Sequence, residues 1–232
     1  MSKLKYDMFK KGLFIDLIEE RKIISSAPYN GGLVKAKNII NYKVLSNHKG
    51  EKKKFDSIDN SFKKLKKEYN IEGKTVGFMT SAVLDSFVKV ERIFDNKKII
   101  IFLSAGFSNA LTAGDSAKLS YSPGTINTIC VLEHNFCEGA MIEAIMILTE
   151  AKTVALKKYG IASFVSGKIA TGTGTDSIGI VNGIETKEKI DFCGKHTELG
   201  EILANLFLEA FDKSVGNSDS LKRAPKEKEV EV

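Results

Sequence analysis

The sequence predicts an α+β fold: a mixed, largely antiparallel sheet with helices packed on it. Short β-branched and apolar runs outnumber amphipathic helical runs along the 232 residues. Two of these runs, at 87–94 and 97–104, flank Asp95-Asn96, a dipeptide typical of a tight hairpin turn. Because a hairpin pairs its strands antiparallel, the sheet is expected to be antiparallel at least there.

Further strands follow from short apolar runs bounded by turn residues. Apolar runs within residues 11–47 are broken at 28–32, Pro-Tyr-Asn-Gly-Gly, which is a strong turn signal. The other expected strands are 38–44, 74–80, 125–132 and 178–181. Together with the hairpin they supply the sheet.

Helices are expected where apolar residues recur at helical spacing. The three segments are 59–70, 138–158 and 197–213. In the first, Phe62, Leu65 and Tyr69 recur every three or four residues among lysines. Gly160 is placed to end the second helix, and Thr197 to cap the start of the third.

Length and composition suit a single domain at 1–216, followed by a charged tail at 217–232 that we expect to be disordered. A domain boundary near 115–123 has no linker composition to support it. No apolar run reaches the roughly 18 residues that a membrane span needs, and the N-terminus has no export signal. We therefore expect a cytoplasmic protein with no membrane span.

Charge and cysteine content argue against several classes of protein. The net charge is +6, and lysines concentrate in one segment. These are Lys52, Lys53, Lys54, Lys63, Lys64, Lys66 and Lys67. They lack interleaved aromatic residues, so a solvated helix face is favoured over nucleic-acid binding. The cysteines Cys130, Cys137 and Cys193 form no C-x-x-C pair, which argues against a disulfide framework and a structural zinc, and Cys130 is expected in the core.

The most informative segment is 170–176, Ala-Thr-Gly-Thr-Gly-Thr-Asp. Its hydroxyls alternate as in a strand, but glycine weakens a strand because it has no side chain to pack. Glycine is useful where the backbone must approach another group closely. The segment is therefore interpreted as a loop whose hydroxyls, amides and carboxylate meet a ligand, with an ordinary turn as the alternative.

Four other polar clusters interrupt the apolar pattern, at 25–32, 80–82, 104–115 and 124–127. Strand ends that carry Ser, Thr and Asn beside glycine commonly build sites on a rigid scaffold. His196 precedes the last helix and is the best general acid–base candidate by residue type. His134, beside Glu133 after a strand, is expected at the surface.

Several motifs match a known family in the same order along the chain. They are 26–32 with Asn41, 80–82, 105–110 with Gly114-Asp115, 124–129, 149–153, 170–176, and His196-Thr197 with Gly200-Glu201. In these motifs the sequence resembles the adenosylcobinamide amidohydrolase family, CbiZ, of archaeal and bacterial cobamide salvage. The resemblance covers about residues 20–205 and implies hydrolysis of the amide joining the corrin ring to its aminopropanol arm. The products would be adenosylcobyric acid and 1-aminopropan-2-ol.

Amide hydrolysis needs an activated nucleophile, donors to the tetrahedral oxyanion, and an acid for the leaving amine. The candidate catalytic residues are Asp176, His196, Glu150, Lys152, Thr173 and Thr175. The candidate substrate-binding residues are Asn30, Thr80, Asn109, Asp115, Thr125, Asn127, Thr171, Gly172 and Gly174. The amides of Gly172 and Gly174 and the Asn109 and Asn127 side chains are the expected oxyanion donors. A water activated by Asp176, Glu150 or His196 is preferred to a threonine nucleophile at 171, 173 or 175, since none of these threonines adjoins a histidine in sequence.

Other interpretations stay open at the level of sequence. One is a non-catalytic protein that binds a corrinoid or a nucleotide through its glycine-rich amides. Another is a self-processing hydrolase whose threonine nucleophile is freed by chain cleavage. No cofactor is implied, a divalent metal and a homo-oligomer are left open, and no metal ligand is assigned because no ligand spacing is present.

Overall fold

The computed structural model describes residues 4–44, 57–117, 124–217, and the single residues 219, 221 and 224. Lys52, Lys53, Lys54, the segment 118–123 and most of the predicted tail therefore lie outside the described residues. Leu221 and Ala224, from the tail segment, pack against the main core. No helix within the described ranges is both long enough and apolar enough to cross a bilayer.

Ten strands and three α-helices make up the described part of the chain. The strands are β1 (Lys5–Phe9), β2 (Gly12–Ser25), β3 (Gly32–Lys43), β4 (Thr75–Thr80), β5 (Val88–Phe94), β6 (Lys97–Ala105), β7 (Ala110–Leu111), β8 (Ile126–Leu132), β9 (Gly172–Thr173) and β10 (Ser177–Val181). The helices are α1 (Ile58–Glu68), α2 (Glu138–Lys158) and α3 (Glu198–Gly216).

Eight strands form one mixed sheet in the order β4-β3-β2-β10-β8-β6-β5, with β1 paired to β2. Only the β3–β4 and β8–β10 pairs are parallel, so the predicted α+β class and the largely antiparallel sheet are confirmed. The predicted hairpin joins β5 to β6, and Asp95 and Asn96 both have positive φ, 48° and 56°. Two such residues form the tight turn whose twist matches paired strands.

The sheet bends over itself, so that two halves face each other across a buried layer. Side chains of β2, β3 and β4 meet those of β6, β8 and β10 there, for example Phe78 and Phe102. Helices α2 and α3 cover the other face of β5, β6, β8 and β10. Helix α1 covers β4 from outside, where a Cβ on Gly77 would lie 2.3 Å from the Phe62 ring. Glycine at 77 thus lets this helix approach the strand.

The helix ends follow the predicted signals. The Thr197 hydroxyl accepts the amide of Gly200 at 3.0 Å and caps α3, and Gly160, with φ of +58°, follows the end of α2. On α1, Phe62 and Leu65 are buried, whereas Tyr69 is exposed at the helix end. Cys130 is buried in the main core as predicted.

The prediction that His134 lies at the surface is wrong. Its side chain is 1% exposed and contacts the rings of Phe94 and Phe136. Hydrogen bonds hold the backbone around His134 in place. Gly183 donates its amide to the His134 carbonyl, and Asn182 donates its side-chain amide to the side chain of Asn135. Burial, with a smaller contribution from the positive charge of Lys97, lowers the pKa of His134.

This burial predicts a pH-dependent contribution to stability. Because the folded pKa lies below the unfolded value of about 6.5, the unfolded chain binds the extra proton first as pH falls. The contribution is complete above about pH 6.5 and is lost as pH falls from there through the folded pKa. We expect His134→Phe to flatten the acid side of a plot of unfolding free energy against pH. Urea denaturation at a series of pH values, on the wild-type protein and on His134→Phe, would measure this slope.

Candidate active site

The threonine–glycine loop is anchored at β7 and β9, which form a two-stranded ribbon apart from the main sheet. Thr173 is paired with Ala110 and Gly172 with Leu111, while Thr171 donates its amide to the Leu111 carbonyl at 2.9 Å. Two polar clusters that are about sixty residues apart in sequence are thereby brought together. The loop ends at Asp176, directly before β10.

The Asp176 carboxylate holds this loop in place through four hydrogen bonds. Oδ1 accepts the Thr173 hydroxyl at 2.5 Å and the Ile126 amide at 2.9 Å. Oδ2 accepts the Thr173 amide at 2.9 Å and the Lys152 ammonium at 2.6 Å. A carboxylate offers about four acceptor positions, so the described protein groups can occupy all of them.

Lys152 extends from α2 to this carboxylate, and the two side chains are only 9% and 10% exposed. The Lys152 ammonium has three N–H groups. Among the described residues, Asp176 is the only one that accepts a hydrogen bond from it. A Cβ on Gly172 would lie 2.6 Å from Asp176 Oδ2 and 3.1 Å from Lys152 Nζ. The predicted close approach at Gly172 therefore exists, and its partner is the protein's own ion pair.

The threonines of the loop differ in their surroundings. Thr173 has its hydroxyl on the Asp176 carboxylate, whereas Thr175 donates its hydroxyl to the Gly124 carbonyl at 3.1 Å. The hydroxyl of Thr171 accepts the amide of Ala113 at 2.8 Å. Among the threonines of the loop, only Thr173 donates its hydroxyl to a carboxylate, a group that can take up a proton. This is the arrangement expected of an activated nucleophile.

A buried polar network supports the loop from below. Asn127 donates its side-chain amide to Asn41 Oδ1 and to the Met79 carbonyl, both at 2.9 Å. Asn41 in turn donates to the Ser104 hydroxyl at 3.0 Å, which joins the two halves of the sheet. Thr125 donates its hydroxyl to the Thr175 carbonyl at 2.8 Å. Both amide hydrogens of Asn127 are thus used within the protein, which makes this residue a support for the loop.

Asn109 offers the unused polar group beside the loop. It is 6% exposed, and its buried Oδ1 has no hydrogen-bond partner among the described residues. Its Nδ2 lies 3.5 Å from the Cβ position of Gly174, whose amide donates to the Asn109 carbonyl at 3.3 Å. The Gly174 amide is therefore occupied, while the Asn109 side chain is placed to bind a ligand.

Glu150, on α2, and His196, in the loop that precedes α3, do not contact the Lys152–Asp176 ion pair. Glu150 is exposed and accepts the ammonium of Lys195 at 2.6 Å. Residues 150 and 152 are about 200° apart around a helix, so Glu150 faces away from the Lys152 site. His196 is exposed, with its ring 6.1 Å from that of Phe192. The structure brings Lys152, Thr173 and Asp176 together and leaves Glu150 and His196 beside the loop that precedes α3.

The remaining predicted binding residues have local partners. Thr80 accepts the amide of Ala82 at 3.0 Å. Asn30 donates its side-chain amide to the Thr75 carbonyl at 2.8 Å, at the opposite end of β4 from Thr80. Asp115 accepts the Ser163 hydroxyl at 2.5 Å, and the hydrogen bonds from Ser163, Ser166 and the Thr112 amide lower the pKa of its carboxyl.

Three supports of the site, Asn41, Ser104 and Gly124, lie within the motifs and polar clusters named from sequence but were not among the candidate site residues. Asn41 and Ser104 are polar residues at strand positions whose neighbours on the same face are apolar, such as Ile39 and Phe102. A polar residue in an otherwise apolar row along one face of a strand is a signal in the sequence by which these two residues could have been identified. Gly124 contributes its carbonyl to Thr175, and a Cβ there would lie 2.6 Å from Asn109 Oδ1.

Within the described ranges, no group of three or more His, Cys, Asp or Glu side chains is arranged to hold a metal ion. The cytoplasmic location and the homo-oligomer stay predictions.

Comparison with known proteins gives similarities of three kinds. A family model described as adenosylcobinamide amidohydrolase matches residues 2–223. An uncharacterized protein of Methanocaldococcus jannaschii is 26% identical over 234 aligned residues, which cover 91% of this chain and 88% of the relative. The crystal structure of a Pyrococcus horikoshii protein aligns with 93% of this chain and 83% of its own, at 12% identity and a TM-score of 0.43.

Proposed function

The chain belongs to the adenosylcobinamide amidohydrolase family, and we propose that it hydrolyses the amide that joins the corrin ring of adenosylcobinamide to its aminopropanol arm. The observation that carries this proposal is the contact of Thr173 and Asp176, from the motif at 170–176, with Lys152, from the motif at 149–153. A nucleophile, a proton acceptor and an ammonium that orients the acceptor are the parts needed for acyl transfer. The products are adenosylcobyric acid and 1-aminopropan-2-ol.

In the first step the Thr173 hydroxyl attacks the amide carbonyl carbon and passes its proton to Asp176 Oδ1, 2.5 Å away. The carbonyl oxygen becomes an oxyanion, which the Asn109 side-chain amide stabilises by donating a hydrogen bond. This step forms an ester between Thr173 and the corrin side chain when the C–N bond breaks. It replaces the water attack preferred from sequence, because the structure brings a threonine to a carboxylate.

The leaving amine needs a proton, and the ester must then react with water. Lys152 is the nearest cation, and its ammonium has N–H groups beyond the one on Asp176. It donates a proton to the amine nitrogen as the C–N bond breaks. Asp176 returns the threonine proton to Lys152, and water then attacks the ester, passing a proton through Asp176 to the Thr173 oxygen as the ester C–O bond breaks. Adenosylcobyric acid is released and the Thr173 hydroxyl is restored.

Incubating the purified protein with adenosylcobinamide tests this proposal. We expect liquid chromatography with mass spectrometry to show adenosylcobyric acid and 1-aminopropan-2-ol in equal amounts. Asp176→Asn should lower the rate by about 10²–10⁴-fold, the usual contribution of a positioned proton acceptor. Thr186→Ala is the control, because Thr186 is exposed and its hydroxyl bonds to the Glu188 carbonyl and the Asn135 side-chain amide, neither of which belongs to the site.

The same experiment separates catalysis from binding. Absence of product across a range of pH and with added divalent metals would contradict the proposal. Tight binding of adenosylcobinamide without turnover, unchanged in Asp176→Asn, would instead support the non-catalytic corrinoid-binding protein.

A further inference from the structure

Asp176 contacts two atoms of a single residue in a way that the hydrolysis of a substrate does not require. Its Oδ1 accepts the hydroxyl of Thr173, and its Oδ2 accepts the backbone amide of the same residue at 2.9 Å. The hydroxyl would lose a proton, and the amide nitrogen would gain one, if the chain broke at this peptide bond. The Asp176 carboxylate is thus in contact both with the hydroxyl that would lose the proton and with the nitrogen that would gain it.

The residue before Thr173 is also suited to such a break. Gly172 has no side chain to shield its carbonyl, and a Cβ would collide with Asp176 Oδ2 at 2.6 Å. The Lys152 ammonium lies 3.1 Å from that Cβ position, so a buried positive charge is next to the Gly172–Thr173 peptide.

We propose that the protein cleaves its own chain between Gly172 and Thr173. The Thr173 hydroxyl oxygen attacks the Gly172 carbonyl carbon and passes its proton to Asp176. The C–N bond breaks, the Thr173 nitrogen takes the proton from Asp176, and an ester joins Gly172 to the Thr173 side chain. Water hydrolyses this ester. The result is a Gly172 carboxylate and a Thr173 with a free hydroxyl and a free α-amine, for a net consumption of one water.

Cleavage would give the site a second proton acceptor beside Asp176, attached to the nucleophile itself. The acceptor positions of Asp176 are occupied in the intact chain, and His196 lies in the loop that precedes α3. An α-amine has an ordinary pKa of about 7.7–8.0 and serves as the base for threonine nucleophiles at chain starts. In this respect the inference rests on the proposed function, although the cleavage itself requires no substrate.

Intact-mass spectrometry of the purified, denatured full chain tests the cleavage directly. We expect two polypeptides, 1–172 and 173–232, whose summed mass exceeds that of the uncut chain by one water. Their rate of formation should be first order and independent of protein concentration, because the reaction is intramolecular. The chain carries its own control in the other Gly–Thr bonds, Gly124–Thr125 and Gly174–Thr175, where neither hydroxyl is bonded to a carboxylate. These bonds should stay intact.

Variants and outcomes separate this inference from the proposed function. Thr173→Ala should remain a single chain, and Thr173→Ser should be cleaved, because serine keeps the hydroxyl. A wild-type chain that stays whole at every time point overturns the inference, whether or not it hydrolyses adenosylcobinamide. Cleavage at another bond, or equal cleavage of Thr173→Ala, also overturns it. Cleavage at Gly172–Thr173 without turnover of adenosylcobinamide supports the inference and counts against the proposed function.

Discussion

Replacing Lys152 with methionine is expected to lower the free energy of unfolding by about 3–5 kcal/mol, the usual cost of removing one partner of a buried ion pair. Lys152 and Asp176 are in contact at 2.6 Å, and their side chains are 9% and 10% exposed. Methionine fills much the same space but leaves the carboxylate without its cation. Since small domains are stable by only about 5–15 kcal/mol, this change should be visible in any unfolding experiment.

A second lysine on the same helix is the matched control. Lys158 contacts Asp212 at 2.7 Å, but these side chains are 55% and 42% exposed. Water screens that pair, so Lys158→Met should change the free energy of unfolding much less than Lys152→Met does. Urea denaturation followed by circular dichroism would compare the two variants. Equal stability of the two would show that Asp176 does not depend on Lys152 and would weaken the site described above.

Local structure in this chain could be predicted from sequence because it is encoded by nearby residues. The apolar spacing at 138–158 predicts a helix with the bounds that are found for α2, and Asp95-Asn96 forms the expected turn. His134 could not be placed in this way. Its burial depends on Asn182 and Gly183, which lie far along the chain and meet it only when β8 pairs with β10.

The sequence names candidate residues for the site, but it does not show which of them contact each other. Glu150 and Lys152 are equally attractive in sequence, and only the direction of α2 decides which of them meets Asp176. Asn127 was expected to face the substrate. The bend of the sheet instead brings Asn41 close enough to accept a hydrogen bond from the Asn127 side chain. Side-chain partners across a bent sheet have no counterpart in local spacing, so sequence patterns could not assign them.

Thr173→Ala is expected to lower kcat for adenosylcobinamide hydrolysis by about 10³-fold or more, as removal of a nucleophile does in other acyl-transfer enzymes. The attacking hydroxyl gains its full interaction only in the transition state. Accordingly, kcat and kcat/KM should fall together while KM changes little. Thr173→Ser should keep most of the activity, because it retains the hydroxyl that donates to Asp176 at 2.5 Å.

The Thr173 series also distinguishes the two routes of attack. If a water activated by Asp176 is the nucleophile, Thr173→Ala keeps substantial activity and Asp176→Asn loses it. If Thr173 attacks, both variants are inactive, and rapid mixing with excess substrate shows a burst of 1-aminopropan-2-ol before the steady state when ester hydrolysis is slow. Mass spectrometry of the quenched wild-type enzyme would then find the corrin side chain attached to the peptide that contains Thr173. An active Thr173→Ala enzyme would assign the threonine to holding the loop and the attack to water.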